Sequence, residues 1–237
     1  MAEEDAREII DNLLELAGWS VQEFREENLG ESLGVAVKEF QLKTGATDYL
    51  LFINRKVVGV IEAKPVGHTL GGVDYQSEKY VRGLPNYVEP AQVPIPFLYE
   101  STGVVTYFRD LRDPDSRSRR VFAFYRPETF RDWLKEQDTL RGRLRRLPPL
   151  EKGNLRDCQF TAINNLEHSF VDQRPRAIIQ MATGSGKTWA AVSSCYRLIK
   201  FAKARRILFL VDRNKLQCCA QLRMLLQLHR ALAIAHL

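Results

Sequence analysis

The chain has 237 residues, 45% hydrophobic and 10% aromatic, enough for one large or two modest packed domains and too apolar for wholesale disorder. No apolar run approaches the roughly 18 to 20 residues of a membrane span, and the acidic start MAEEDAREII lacks a secretory pattern, so a cytoplasmic protein is expected. The formal charge of +6 hides a split: residues 1–100 carry 9 Lys/Arg against 17 Asp/Glu, residues 101–237 the remaining 26 against 12, a basic half suited to a polyanion such as DNA.

Residues 4–16 place Ile9, Ile10, Leu13, Leu14 and Leu16 at helical spacing, and Gly18 supplies the stop. The alternating, β-branched run 35–42 reads as a strand. Runs 48–53 and 57–63 read as two more, joined through the polar turn 54–56. Antiparallel pairing through that turn brings Asp48, at the start of one strand, to the same sheet edge as Glu62, at the end of the other. Glu62 and Lys64, two apart, share a face. Asp48 and Glu62 together make a hard-oxygen site suited to Mg²⁺. A metal there can activate water and offset phosphodiester charge, with Lys64 steadying the transition state. Alternating Glu and Lys on a half-buried strand would give the same letters. However, a charged pair ending the apolar run VVGVI is costly without a partner or metal.

A glycine-bearing loop at 65–72 leads to a helix near 74–84, where Gln76 and Tyr80 fall one turn apart on one face. The four-proline stretch 85–96 is a loop, segments 97–100 and 104–109 form a hairpin, and Pro127 opens a helix running to 137. Residues 139–154, TLRGRLRRLPPLEKGN, have little apolar periodicity and read as a boundary. Beyond it come a helix at 156–170, a strand at 177–181, a glycine loop, a helix at 187–201 and a strand at 207–211, the order of a parallel α/β unit. The expected domains are 1–138, a basic linker 139–155, and 156–237. Cys158, Cys195, Cys218 and Cys219 lack zinc spacing and read as reduced, mostly buried thiols. Trp19, Trp133 and Trp189 read as core; Glu8, and less so Glu15, could add a metal-facing carboxylate from the first helix, although a solvated helix face is the favoured reading.

Residues 180–188 read QMATGSGKT. Gly184 and Gly186 let the backbone curl so that N–H groups converge on phosphate, Lys187 can reach the β- and γ-phosphates, and the Thr188 hydroxyl can hold Mg²⁺. Thr183 and Ser185 complete the loop. The general phosphate-loop pattern has glycine where this chain has Met181. ATP is the expected nucleotide.

The spacing D-Y…E-A-K resembles the PD-(D/E)xK nucleases, whose fold is a mixed sheet flanked by helices. The pair Gln76 and Tyr80 resembles the extra motif of RecB-like members, where it helps position DNA and the active site. Gln159 resembles the adenine-reading glutamine of superfamily 2 helicases, and ILFLVDRN at 207–214 their next motif, which touches the DNA backbone. Together these motifs resemble the restriction subunit of type I restriction–modification enzymes, from about residue 5 to residue 215. That resemblance implies a nuclease domain followed by a RecA-like parallel α/β motor. It further implies ATP-driven translocation of double-stranded DNA, and methylation and specificity subunits as partners. Residues 216–237 depart from the family pattern and no Walker B box follows residue 215, so the motor is expected to be incomplete in this chain. The alternatives are another nuclease–helicase fusion, such as a type III restriction or DNA-repair enzyme, and a catalytically silent DNA-binding or assembly module. Nuclease-before-motor order favours type I.

Overall fold

Residues 3–68, 70, 80, 82–174, 176–208 and 210 are described by a computed structural model, in which the chain divides into two units, Met1–Gln137 and Asp138–Leu237. In the first, α1 (Glu3–Leu16) buries Ala6, Ile10 and Leu14, one residue per turn along a single stripe, and leaves Leu16 in solvent. Gly18, at φ +90°, ends it in the left-handed region that favours glycine.

Seven strands follow in one mixed sheet whose spatial order is its chain order. They are β1 (Ser20–Glu23), β2 (Gly34–Leu42), β3 (Gly45–Ile53), β4 (Lys56–Ala63), β5 (Phe97–Ser101), β6 (Thr106–Asp110) and β7 (Arg119–Val121). Pairs β1–β2 and β4–β5 are parallel and the rest antiparallel. The three central strands and the 97–109 hairpin lie where the sequence puts them. The two edge strands, β1 and β7, carry no apolar alternation and are too short for a pattern to register. Asn54 and Arg55 close the β3–β4 hairpin with φ of 49° and 65°, the two-residue turn with two left-handed residues that matches strand twist.

Both sheet faces are covered, which is why β4 reads as an unbroken apolar run rather than an alternating one. One face carries Tyr49, Leu51, Ile61, Phe97, Tyr99 and Phe108 beneath α1 and α2 (Pro127–Lys135). Proline in its first turn starts α2 where expected. Phe130 from α2 stacks on Phe97 at 4.0 Å, and Trp19 packs edge-on against Phe130 while its indole N–H donates to the Tyr125 carbonyl at 2.8 Å. The opposite face, with Val37, Leu50, Val60 and Leu98, lies beneath Tyr80, Leu84, Val88 and Ile95. Most of the helix expected near 74–84, including Gln76, lies outside the described residues, although Tyr80, Arg82 and Gly83 are helical.

In the second unit, α3 (Leu140–Arg145) falls within the arginine-rich stretch, capped by the Thr139 hydroxyl, which accepts from the Gly142 N–H at 3.1 Å. That stretch is therefore partly helical, its cap supplying an order that apolar periodicity did not signal. Helices α4 (Asp157–Val171) and α5 (Lys187–Lys200) match their expected positions. A fork-to-carboxylate pair joins them: Arg197 donates to both Glu167 oxygens, at 2.5 and 2.9 Å. The strands expected at 177–181 and 207–211 do not form among the described residues. Their composition is that of strands buried on both sides. A strand exists only through a ladder with a neighbour, and none pairs with these residues, leaving Ile178 96% and Leu208 82% exposed. The parallel α/β character expected here is therefore absent from the described residues. Cys195 is buried as expected, but Cys158 is exposed; Cys218 and Cys219 lie outside the described residues. Trp19 is core, whereas Trp189 is 39% exposed on the first turn of α5.

The aromatic cluster under α2 generates a stability expectation. Phe130→Ala removes a fully buried ring touching Phe97, Trp19 and Trp133, and should cost about 3–5 kcal/mol in denaturant unfolding. A loss under ~1 kcal/mol would mean that the cluster can collapse around the gap.

Candidate active site

The β3–β4 register runs Leu51 opposite Gly59, Leu50 opposite Val60 and Tyr49 opposite Ile61. One further step puts Asp48 beside Glu62 on the same face. An Asp48 oxygen (Oδ2) accepts the Ala63 backbone N–H at 2.9 Å, tying the start of β3 to the end of β4. Beyond Ala63 the Lys64 backbone N–H donates to the Ser101 carbonyl at 2.9 Å, which fixes the lysine past the strand end. Its ammonium then lies 3.0 Å from Glu62 Oε2. Tyr80 donates its hydroxyl to Glu62 Oε1 from the covering segment. Asp48, Glu62, Lys64 and Tyr80 thus line one cleft of about 200 Å³, together with Thr44 and Thr47. The structure brings four of the five expected residues together; the fifth, Gln76, is outside the described residues.

The electrostatics favour a charged lysine. Burial works against the Lys64 ammonium, but the Glu62 hydrogen bond and the fields of Glu62, Asp48 and Glu100 outweigh it and raise its pKa above the usual lysine value. Burial, then the bond to Glu62, raises the Tyr80 phenol, so it stays a neutral donor.

Four residues of this neighbourhood went unread in the sequence. Arg7, on α1, grips both Asp48 Oδ1 and Glu39 Oε1. Glu39 lies opposite Asp48 with φ 49°, between the Lys38–Tyr49 and Phe40–Thr47 pairs. Glu100 is paired with Glu62 across β4 and β5, and both are buried, at 6% and 8% exposure. Glu100 ends the apolar run FLY as Glu62 ends VVGVI, so the cue used for one applied to the other. Thr47 has a buried hydroxyl with no partner among the described residues. Glu8 and Glu15 are exposed, as a solvated helix face would be.

This donor set is compatible with a hard divalent cation. It is all oxygen, each carboxylate oxygen keeps a second lone pair beyond its one partner, and the Thr47 hydroxyl is unspent. Among the described residues, no three His, Cys, Asp or Glu side chains gather as a metal cage. A carboxylate pair completed by water and substrate phosphate is the usual arrangement for Mg²⁺.

The glycine loop of the second unit has its own supports. Gly184 and Gly186 adopt φ of 78° and 84°, a region costly for other residues, and a Cβ on Gly186 would overlap the Gln159 amide. Gln159 is buried and bonded on both ends. It donates to the Ser185 carbonyl at 3.0 Å and the Gly186 carbonyl at 3.4 Å, and accepts the Arg156 N–H at 3.1 Å. Arg156 adds a bond to the Gly184 carbonyl at 3.1 Å. These side chains take up loop carbonyls. Meanwhile α5 begins at Lys187 with no side chain capping its first N–H groups, an arrangement open to an anion. Lys187 and Thr183 are exposed, and Thr188 is half-buried.

The family described as "Type III restriction enzyme, res subunit" matches residues 152–227, which contain this loop. The chain is 26% identical over 270 residues to the type I restriction enzyme EcoKI endonuclease subunit of Escherichia coli strain K12, covering 91% of this chain and 23% of that protein. It is 28% identical over 167 residues to the EcoAI endonuclease subunit of Escherichia coli, covering 66% of this chain and 20% of that protein. The chain thus spans less than a quarter of the length of these relatives. No solved structure matches it. The chain is thus similar, along nine-tenths of its length in one case and two thirds in the other, to endonuclease subunits of type I restriction enzymes.

Proposed function

We propose that the first unit is a Mg²⁺-dependent DNA nuclease of the PD-(D/E)xK type, and that the second binds ATP in the phosphate loop of a helicase-type motor. The observation that carries the first half is the convergence of Asp48, Glu62 and Lys64 in one cleft where the start of β3 meets the end of β4. The relatives support it, since both are named as endonuclease subunits.

Asp48 and Glu62 would hold the cation, which when bound supplies Lewis acidity and a water of lowered pKa. Lys64, kept charged by three carboxylates, orients the attacking water and balances charge developing on the phosphate. The Tyr80 hydroxyl fixes the Glu62 rotamer and, with Gln76, would position the site against DNA. Arg7 holds Asp48 in place from α1. In the second unit Thr183, Gly184, Ser185 and Gly186 would wrap the phosphates, Lys187 would pair with them and Thr188 would hold their Mg²⁺. Gln159 and Arg156 brace the loop from behind. Its amide would have to leave the loop carbonyls to read adenine. As part of a longer subunit, this reading implies ATP-driven translocation on double-stranded DNA. It implies methylation and specificity subunits as partners, in the cytoplasm, where ATP and DNA meet.

The first test is plasmid nicking by the purified chain. Mg²⁺ should support cutting and EDTA should stop it. Asp48→Ala and Glu62→Ala should lose metal binding and cutting together. Lys64→Ala should keep metal binding, read by calorimetry, yet slow cleavage by about a hundredfold or more. Wild-type cutting by Lys64→Ala would refute the assignment.

A second test concerns nucleotide. Lys187→Ala and Gly186→Ala should each weaken binding of a fluorescent ATP analogue by roughly tenfold to a hundredfold, the loss of one charge-assisted contact or of the loop conformation. Plasmid nicking should be unchanged in both. Unaltered nucleotide affinity in Gly186→Ala would show that the left-handed loop geometry is not what binds phosphate.

A further inference from the structure

The strand pairings extend the catalytic row across the sheet. Glu62 pairs with Glu100, Glu100 with Tyr107, and Tyr107 with Arg120. Residues directly opposite one another project to the same face, so Asp48, Glu62, Glu100, Tyr107 and Arg120 form one row on the face that bears the cleft. Its chemistry changes along its length. Glu62 and Glu100 are buried, Tyr107 is half-buried and Arg120 is exposed. Neither Arg120 nor the nearby, exposed Arg117 forms an ion pair among the described residues. Immediately past β7, Phe122 is fully exposed, although partly buried Val121 and buried Phe124 beside it pack into the core. A bare aromatic ring two residues from an unpaired arginine has no stabilising role in the sheet. It does suit a ligand with alternating anionic and flat apolar parts.

We propose that β6 and β7 form a track for a single-stranded nucleic-acid flank leading away from the carboxylate pair, with Arg120 contacting phosphate and Phe122 stacking on a base. It rests on the nuclease reading for its direction but not for the binding itself. Successive strands lie roughly 4.8 Å apart, so β7 is about 14 Å from β4, a span of a few nucleotides. Charge complementarity selects the occupant: an acidic partner without flat rings would use Arg117 and Arg120 but leave Phe122 idle.

The test uses the whole chain in EDTA, so that nothing is cut. Anisotropy would follow a labelled duplex with a single-stranded flank and the same duplex blunt-ended. Phe122→Ala should weaken binding of the flanked duplex by about tenfold, as loss of one stacked base does, with little change on the blunt one. Phe122→Trp should restore it. Arg120→Gln should weaken binding and lower the slope of log affinity against log salt by about one. The track is overturned if Phe122→Ala binds the flanked duplex as wild type does, or if Phe122→Trp loses as much as Phe122→Ala. Plasmid nicking by Asp48→Ala separates the two ideas. If that variant cuts normally while Phe122→Ala still loses the flank, the nuclease assignment falls and the track stands.

Discussion

Everything at the cleft depends on the register of β3 against β4. The Asn54-Arg55 turn starts the pairing with two left-handed residues, an irregularity between Leu51 and Phe52 shifts it by one, and the ladder then runs on to Tyr49 and Ile61. A slip of one residue would turn Asp48 to the other face and send Leu50 and Val60 out of their core. The same pairings that bury the apolar side chains therefore aim the carboxylates. The Asp48 bond to the Ala63 N–H then locks the open end of the hairpin, where fraying would otherwise spread the two carboxylates apart.

A row of acids along such a sheet is unfavourable by itself. Like charges opposite one another on neighbouring strands repel, and burial sharpens the repulsion. The fold answers with donors drawn from elements distant in sequence: Arg7 from α1, Lys64 from beyond the strand end, Tyr80 from the covering segment. Each is aimed at a different carboxylate oxygen. The result holds its geometry with protein partners yet keeps lone pairs for a cation. This is preorganisation in the plain sense that the oxygens need not be gathered when a ligand arrives.

The legibility of this chain follows from where burial comes in periodic form. Strands β2, β3 and β4 were readable because apolar runs between turn residues have few other solutions. Strands β1 and β7 were not, since a three- or four-residue edge strand buries too little to leave a pattern. Asp48, Glu62 and Lys64 could be named from spacing, because two strands and a tight turn fix who meets whom, whereas Tyr80 was named through the resemblance of the Gln76–Tyr80 pair to a RecB-like motif. Arg7 could not, as its contact with Asp48 spans 41 residues and depends on how α1 crosses the sheet. In the second unit the helices were legible and the expected strands do not form among the described residues. Residues 177–181 carry the composition of a sheet core, and composition cannot supply the neighbours that a ladder requires.

The two sites proposed to handle phosphate would use opposite strategies, and their local conformations fit that. In the first unit side chains would carry the chemistry, and the backbone at Asp48 and Glu62 is strand, irregular only nearby, where the β3–β4 pairing shifts between Leu51 and Phe52 and Glu39 takes φ 49°. In the second unit the backbone itself would face the proposed ligand, which needs its N–H groups freed from pairing and its carbonyls turned away. Two glycines at positive φ accomplish the turning, and Gln159 and Arg156 accept the cost by bonding the carbonyls so exposed. A glutamine that is buried and bonded on both ends is thus part of the loop's architecture before any nucleotide is present. Its spacing from Lys187 is set by the need to reach carbonyls 185 and 186 from the first turn of α4.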